Sequence, residues 1–377
     1  MDHTALTAAV RYFPLLGRPR PVCRALPTRV QEITDLAHAA HTARQQGADA
    51  VHDAAHALNK AALLVSDCGL IDDARRLCRQ HIDLYRAAGS RLTVSQARHM
   101  LEPVVNLARL HIRDDAPRTA LRVLEATHHA ATAGTDLTVD DRVLPLAHLT
   151  GTRRERNKLR EWVWLQLLTD GIRALARAGD WNDAVALAEA HRGIGAHLME
   201  GRQAAILAAR LDGKSDEARR LLHAGTLTQP WEHQVASCLE VMCGGSDRPH
   251  CHRAATEMIH RFRHGEPVTG YAVFRARLGL AVAALAHPHV PAAVPSLLAQ
   301  AAAEAIAAED GYAAREVLHH RTPDADLSAG QRHALHGLVT AGGLGVGPLP
   351  PPLQDAFTDA TGAAVKALAA SLQENST

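Results

Sequence analysis

The stretch Ala57–Tyr85, ALNKAALLVSDCGLIDDARRLCRQHIDLY, constrains the fold more than any other part of the chain. Apolar side chains recur at helical spacing on both sides of Gly69, so it reads as two helices folded back on each other. Asp72 and Asp73 fall in the first turn of the second helix, where carboxylates complement the helix dipole. Ala62 and Ala74 are small enough to let the two helices approach closely. A hairpin of this kind cannot bury its apolar face alone, so it requires neighbours of the same type.

The same arrangement recurs along the chain. A glycine or aspartate precedes an alanine by five positions at Gly69/Ala74, Asp115/Ala120, Gly179/Ala184 and Gly213/Ala218. Ala184 and Ala218 are 34 residues apart, which is the period of the tetratricopeptide repeat. The spacing from Ala74 to Ala120 is 46, and the first helices lack the aromatic residue usual near their start. With GDWNDAVALAEAH and GKSDEARRLL as its clearest segments, the chain resembles a degenerate tetratricopeptide-repeat (TPR-like) array over about a third of its length. ALNKAALLVSDCG, VNLARL and EGRQAAIL also resemble TPR-like proteins of actinobacteria, a likeness that implies no reaction. The resemblance implies an all-α, irregular TPR-like α-solenoid of stacked antiparallel helix hairpins, with the first helix of each hairpin lining a concave groove.

Composition agrees with an all-α fold. The 377 residues are 47% hydrophobic but only 3% aromatic, so the core must come from alanine and aliphatic side chains. Lys+Arg (41) and Asp+Glu (40) almost cancel, which leaves no global charge to attract nucleic acid or an anionic membrane. No apolar run approaches the roughly 20 residues of a membrane span. The first residues have no basic region before a short apolar run, and the six cysteines are scattered, so a cytoplasmic location is expected.

Prolines 14, 19, 21 and 27 point to an extended, proline-rich amino-terminal arm over 1–27. A helical-repeat sub-array is expected over 28–131, and a connection of different texture over 132–152. A second TPR-like sub-array follows over 153–341, then a linker and carboxy-terminal helix over 342–377. Breaks are expected at Gly89–Ser90 and within GGSDRPHC, a long helix over 155–178, and fraying in QENST.

Counting back from the register alanines places Asn59, Val105 and Gln203 at equivalent inward positions, with Lys60 and Asn106 one residue later. Arg109 and Arg173 follow one turn further on, Arg202 adjoins Gln203, and Arg275 and Arg277 extend the basic character. Amides both donate and accept, which suits a peptide backbone, and guanidinium groups suit a carboxylate. The expected partner is therefore a peptide or protein segment, with an acidic group or a C-terminal carboxylate. The role would be regulatory or scaffolding. Pairing of the Ala-rich carboxy-terminal helices would give a homodimer.

Other constellations are weaker. Cys238 and Cys243 are five apart and Cys251 adjoins His252, spacings that suit buried helical cysteines better than zinc. Arg153, Arg154, Arg156, Lys158 and Arg160 alternate with Glu155 and Glu161, as on a solvated helix start. Asp140–Asp141 reads as a turn, and Trp231 as a packing residue. No nucleotide, P-loop, zinc-protease or hydrolase motif is present, and no cofactor is expected. The alternative is a tailoring enzyme of bacterial secondary metabolism on a helical-repeat scaffold.

Overall fold

The structure, a computed structural model, describes residues 3–88, 91–244, 248–320 and 326–374. The breaks expected at Gly89–Ser90 and in the middle of GGSDRPHC, and the last residues of QENST, lie outside them.

The protein is an all-α helical-repeat protein. In chain order the helices are α1 (His3–Val10), α2 (Leu26–Gln45), α3 (Val51–Asp67), α4 (Ile71–Ala87), α5 (Val94–Arg113) and α6 (Pro117–Ala133). A two-stranded hairpin, β1 (Leu137–Val139) and β2 (Arg142–Leu144), precedes α7 (Arg153–Gln166), a π turn (Leu167–Gly171) and α8 (Ile172–Ala178). Next come α9 (Trp181–Ala190), α10 (Glu200–Leu211), α11 (Ser215–His223), α12 (Pro230–Cys243), α13 (Arg248–His264) and α14 (Ala272–Ala286). The chain ends with α15 (Val294–Ala307), α16 (Gly311–Leu318), α17 (Ala329–Ala341) and α18 (Pro351–Glu374).

These elements form two compact units. The first stack comprises Ala25–Ala174 with the described residues of Gly343–Thr377, and the second comprises Leu175–Gly342 with those of Met1–Arg24. In the first, α3, α5 and α7 form one layer, α4 and α6 the other, and α18 covers α2, α3 and α4. In the second, α10, α12, α14 and α16 form a row of first helices backed by α11, α13, α15 and α17.

One turn chemistry repeats at the hairpins. Gly69, Gly179 and Gly213 have φ of +91°, +81° and +79°, and Asp115 takes the same role at +58°. In each case the next residue donates to a carbonyl five positions back: Leu70 to Val65, Ala116 to His111, Asp180 to Leu175 and Lys214 to Ala209. This is the Schellman closure, which satisfies carbonyls left over at a helix end and requires a left-handed residue. The register alanines Ala74, Ala120, Ala184 and Ala218 are all fully buried, as small contact residues should be.

Three expectations are corrected. The amino-terminal arm is not wholly extended, because HTALTAAV lies before the prolines and forms α1, which packs on α14. The connection contains a short β-hairpin whose Leu137, Val139 and Leu144 join the first core, with Asp140 and Asp141 at positive φ in its turn. The helix expected over 155–178 is interrupted by the π turn.

Asp115→Gly should stabilise the fold by up to ~1 kcal/mol, because an L-residue in the left-handed region costs about 1 kcal/mol more than glycine. Gly213→Ala should destabilise it by a similar ~1 kcal/mol, for the same reason; a Cβ there would meet nothing within 4 Å. Urea melts check both, and an unchanged midpoint in either variant would contradict the turn argument.

Candidate functional site

In the first stack the polar residues of three successive first helices join into one hydrogen-bonded row. Asn59 on α3 donates Nδ2 to Glu102 Oε2 on α5 at 2.8 Å and accepts at Oδ1 from Asn106 Nδ2 at 3.2 Å. Arg109, one turn along α5, donates to Asn106 Oδ1 at 3.2 Å and to Gln166 Oε1 on α7 at 3.0 Å. Its Nε also donates to Asp170 Oδ2 at 2.9 Å, and Arg173 lies 3.4 Å from the other carboxylate oxygen. Asp170 is buried, yet its two arginine partners remain half and one-quarter exposed. The row therefore alternates amide, carboxylate and guanidinium and presents its cationic edge to solvent. Lys60 lies beside it and pairs with Glu32 on α2 at 2.8 Å.

Asp170 joins the row from within the π turn. A π turn adds a residue to the helical cycle and re-aims the side chains it contains. Leu167–Gly171 does this where α7 passes α5 and α6. Counting back from Ala184 by the alanine register lands on Asp170, at the position of Asn106 and Lys60. The register therefore contained a signal for Asp170 that the residue types alone did not. Glu102 and Gln166 were missed as well. They lie within reach only because the helices pack closely.

At the α3 end the row meets histidines. His99 Nδ1 is 3.6 Å from Glu102 Oε2, and the His52 ring packs edge-on to His99 with centroids 5.4 Å apart. Burial alone would raise the Glu102 carboxyl. Its close approach to His99 and the charge of Arg98 nevertheless hold it below its ordinary range. Burial, then Lys60 and His52, push His56 down. His81 on α4 is fully buried beside Tyr85, and burial pushes it down to about 3.

In the second stack the expected groove residues have other neighbours. Gln203 on α10 is completely buried. Its Oε1 accepts from the Leu15 backbone N–H at 2.8 Å, and its Nε2 donates to the Leu15 and Leu198 carbonyls, each at 2.7 Å. Arg277 on α14 donates to the Tyr12 carbonyl at 2.7 Å. Arg202 donates to the Gly195 and Leu221 carbonyls, so it secures the ends of the α10–α11 hairpin. Arg275 is buried against Glu304 at 2.7 Å and lies over the Phe262 ring, inside the core. The expected set therefore divides into a row in the first stack (Asn59, Asn106, Arg109, Arg173, with Lys60 adjacent), a clamp on the amino-terminal segment (Gln203, Arg277), and two packing arginines (Arg202, Arg275).

The weaker constellations also have structural surroundings. Cys238, Cys243 and Cys251 are buried, and burial pushes the Cys238 and Cys243 thiols up to about 12 and 11. Thr152 caps α7 reciprocally with Glu155, so the basic run opens a capped helix. Arg156 and Arg160 donate to the Gly151 and Ala131 carbonyls. A broad open depression of about 810 Å³ lies beside α4 and β2, with Arg79 and Arg142 on its wall paired to Asp140 and Asp83.

No protein-family model matches the chain, and no curated protein matches it. Among solved structures it is similar to a circular tandem repeat protein with novel repeat topology and enhanced subunit contact surfaces. That similarity is at 14% identity, covers 93% of this chain and 86% of the other, and has a TM-score of 0.20. No helix among the described residues is long and apolar enough to cross a membrane.

His81 gives the first stack a defined pH response. An unfolded chain protonates this imidazole near its ordinary 6.5, whereas the folded chain resists down to about 3. Its contribution is therefore intact above pH 6.5 and is lost as pH falls towards 3, with a slope of about 1.4 kcal/mol per pH unit. His81→Leu should reduce the pH dependence of stability by close to one proton across that window. Urea melts at several pH values measure the slope, and an unaltered slope would contradict it.

Proposed function

We propose that this is a TPR-like regulatory or scaffold protein that binds a peptide or protein segment along α3, α5 and α7. The observation that supports it most is what Gln203 does in the second stack. Its amide pairs with both the N–H and the C=O of one residue of a non-helical segment. Asn59 occupies the same position in the alanine register as Gln203, and Asn106 lies beside it across the helix boundary. The amides would meet a peptide backbone through their remaining N–H and oxygen lone pairs, beside the bonds they already make within the row. Arg109 and Arg173, with their partly exposed guanidinium groups, would take an acidic side chain or a C-terminal carboxylate. Such a ligand would share Arg109 with Asp170, so affinity should be moderate and sensitive to salt.

Selection from a random-peptide display library on the immobilised protein tests this. Enriched peptides should carry an acidic group, and Arg109→Glu should weaken their binding at least ~10-fold, the loss of about 1.4 kcal/mol expected for one charge-assisted contact. Asn59→Ala should weaken peptides regardless of their side chains. Binding that is indifferent to both substitutions would sink the proposal, provided circular dichroism shows both variants folded.

A further inference from the structure

The segment between α1 and α2 is held by the second stack as a ligand would be. Leu15 meets Gln203 on α10 through both backbone polar atoms. Gly17 lies under Trp231 at the start of α12, where a Cβ would come within 2.6 Å of the indole Cδ1. Arg18 pairs with Glu200 at the start of α10 at 2.9 Å. The Arg20 N–H donates to the Gly270 carbonyl, just before α14, at 2.8 Å. Cys23 donates its N–H to Asp310 Oδ1 and accepts from the Gly311 N–H, each at 3.1 Å, at the start of α16. Its thiol rests against Gly311 and Gly342, where a Cβ would approach to 3.1 and 2.9 Å.

These contacts follow the row of first helices from α10 to α16. Three helix spacings at about 8–10 Å each amount to roughly 24–30 Å. Eight residue steps of fully extended chain cover about 26–29 Å. The run from Leu15 to Cys23 therefore crosses the row as a drawn-out, non-helical segment, with one tight turn at Gly17, where the Arg18 N–H donates to the Leu16 carbonyl at 2.9 Å. Most of its polar contacts are made by its backbone, which any sequence can offer. Side-chain selection is concentrated at the glycine under Trp231 and the cation beside Glu200, with an apolar approach through the buried Phe13 and Leu15.

We propose that the second stack is a receptor for a non-helical peptide that turns once at a glycine, and that Tyr12–Arg24 is its pseudo-ligand, occupying the site in cis. The ligand class is a separate peptide with apolar residues, a glycine two positions after the clamped residue, and a basic residue next to that glycine. It enters by displacing the chain's own segment. This site stands apart from the one proposed on the first stack, and neither depends on the other for its test.

The test uses the full-length protein and a fluorescent synthetic peptide with the sequence of Arg11–Arg24. Two full-length variants loosen the cis segment: Gly17→Ala, which forces a Cβ against Trp231, and Arg18→Glu, which only reverses a partly exposed charge. Anisotropy titrations should show saturable binding to both variants, at least ~10-fold tighter than to the unsubstituted chain, equivalent to about 1.4 kcal/mol. Adding Gln203→Ala to the Arg18→Glu chain should weaken binding at least ~10-fold, as should alanine in place of the peptide's glycine. If Gly17→Ala does not fold, Arg18→Glu carries the measurement alone. An Arg18→Glu chain that melts cooperatively yet binds no peptide overturns the proposal and leaves the segment a fixed part of the core. Binding indifferent to both Gln203→Ala and the glycine also overturns it. A concentration-dependent dimer of the unsubstituted chain, abolished by Gln203→Ala in light scattering, would make a second copy the occupant and overturn the assignment to a separate peptide.

Discussion

Close helix approach through alanine is the constraint on which both stacks depend. With 3% aromatic residues, the core has few bulky side chains to hold helices apart. Ala54, Ala57 and Ala61 on α3, Ala74 on α4, and Ala97 and Ala108 on α5 have no exposed surface at all. Helices that touch through such residues fall at the short end of ordinary interaxial distances. That is why the short side chains of Asn59 and Asn106 can bond directly from α3 to α5. The polar row is a consequence of how the core is filled.

The same packing makes charged groups at the edges of the core exacting. Asp67, at the end of α3, is completely buried between Arg29 on α2 and Arg113 on α5, at 2.6 and 3.0 Å. A buried carboxylate without partners would be strongly unfavourable, so the position is tolerable only with both arginines in place. The carbonyls of Asp67 and Cys68 accept from Gly345 and Gly347, which brings the glycine-rich segment past the end of α3 and leads into α18. In the second stack Gln203 is handled alike, because its amide oxygen and nitrogen are satisfied by Leu15 and Leu198. Each stack therefore uses backbone atoms distant in sequence to satisfy polar groups at its core.

Much of this was legible from residue order. The four breaks and their alanines marked the hairpins because a left-handed residue and a small contact residue are local requirements, visible without knowledge of neighbours. The register also singled out Asn59, Asn106, Arg109 and Arg173, which do come together. It could not separate them from Arg202 and Arg275, because a guanidinium facing a carbonyl and one facing solvent look alike in sequence. Asp170 stands at the register position of Asn106 and Lys60, but a single carboxylate on a charged helix gave no reason by residue type to single it out. Proline density alone led to an extended arm and concealed both α1 and the burial of Tyr12–Leu15.

By itself, then, the sequence determined that the chain is all-α, built of hairpins with close alanine contacts, and furnished with amides and arginines at recurring positions of the alanine register. These are properties of short windows, governed by helix propensity, turn geometry and periodicity. The tertiary structure alone decided what those residues face. It set Asn59 and Asn106 into a shared row with Glu102 and Asp170, and it filled the clamp of Gln203 with Leu15, 188 residues away. Pairings over such separations arise from the stacking of whole helices, and no local preference encodes them.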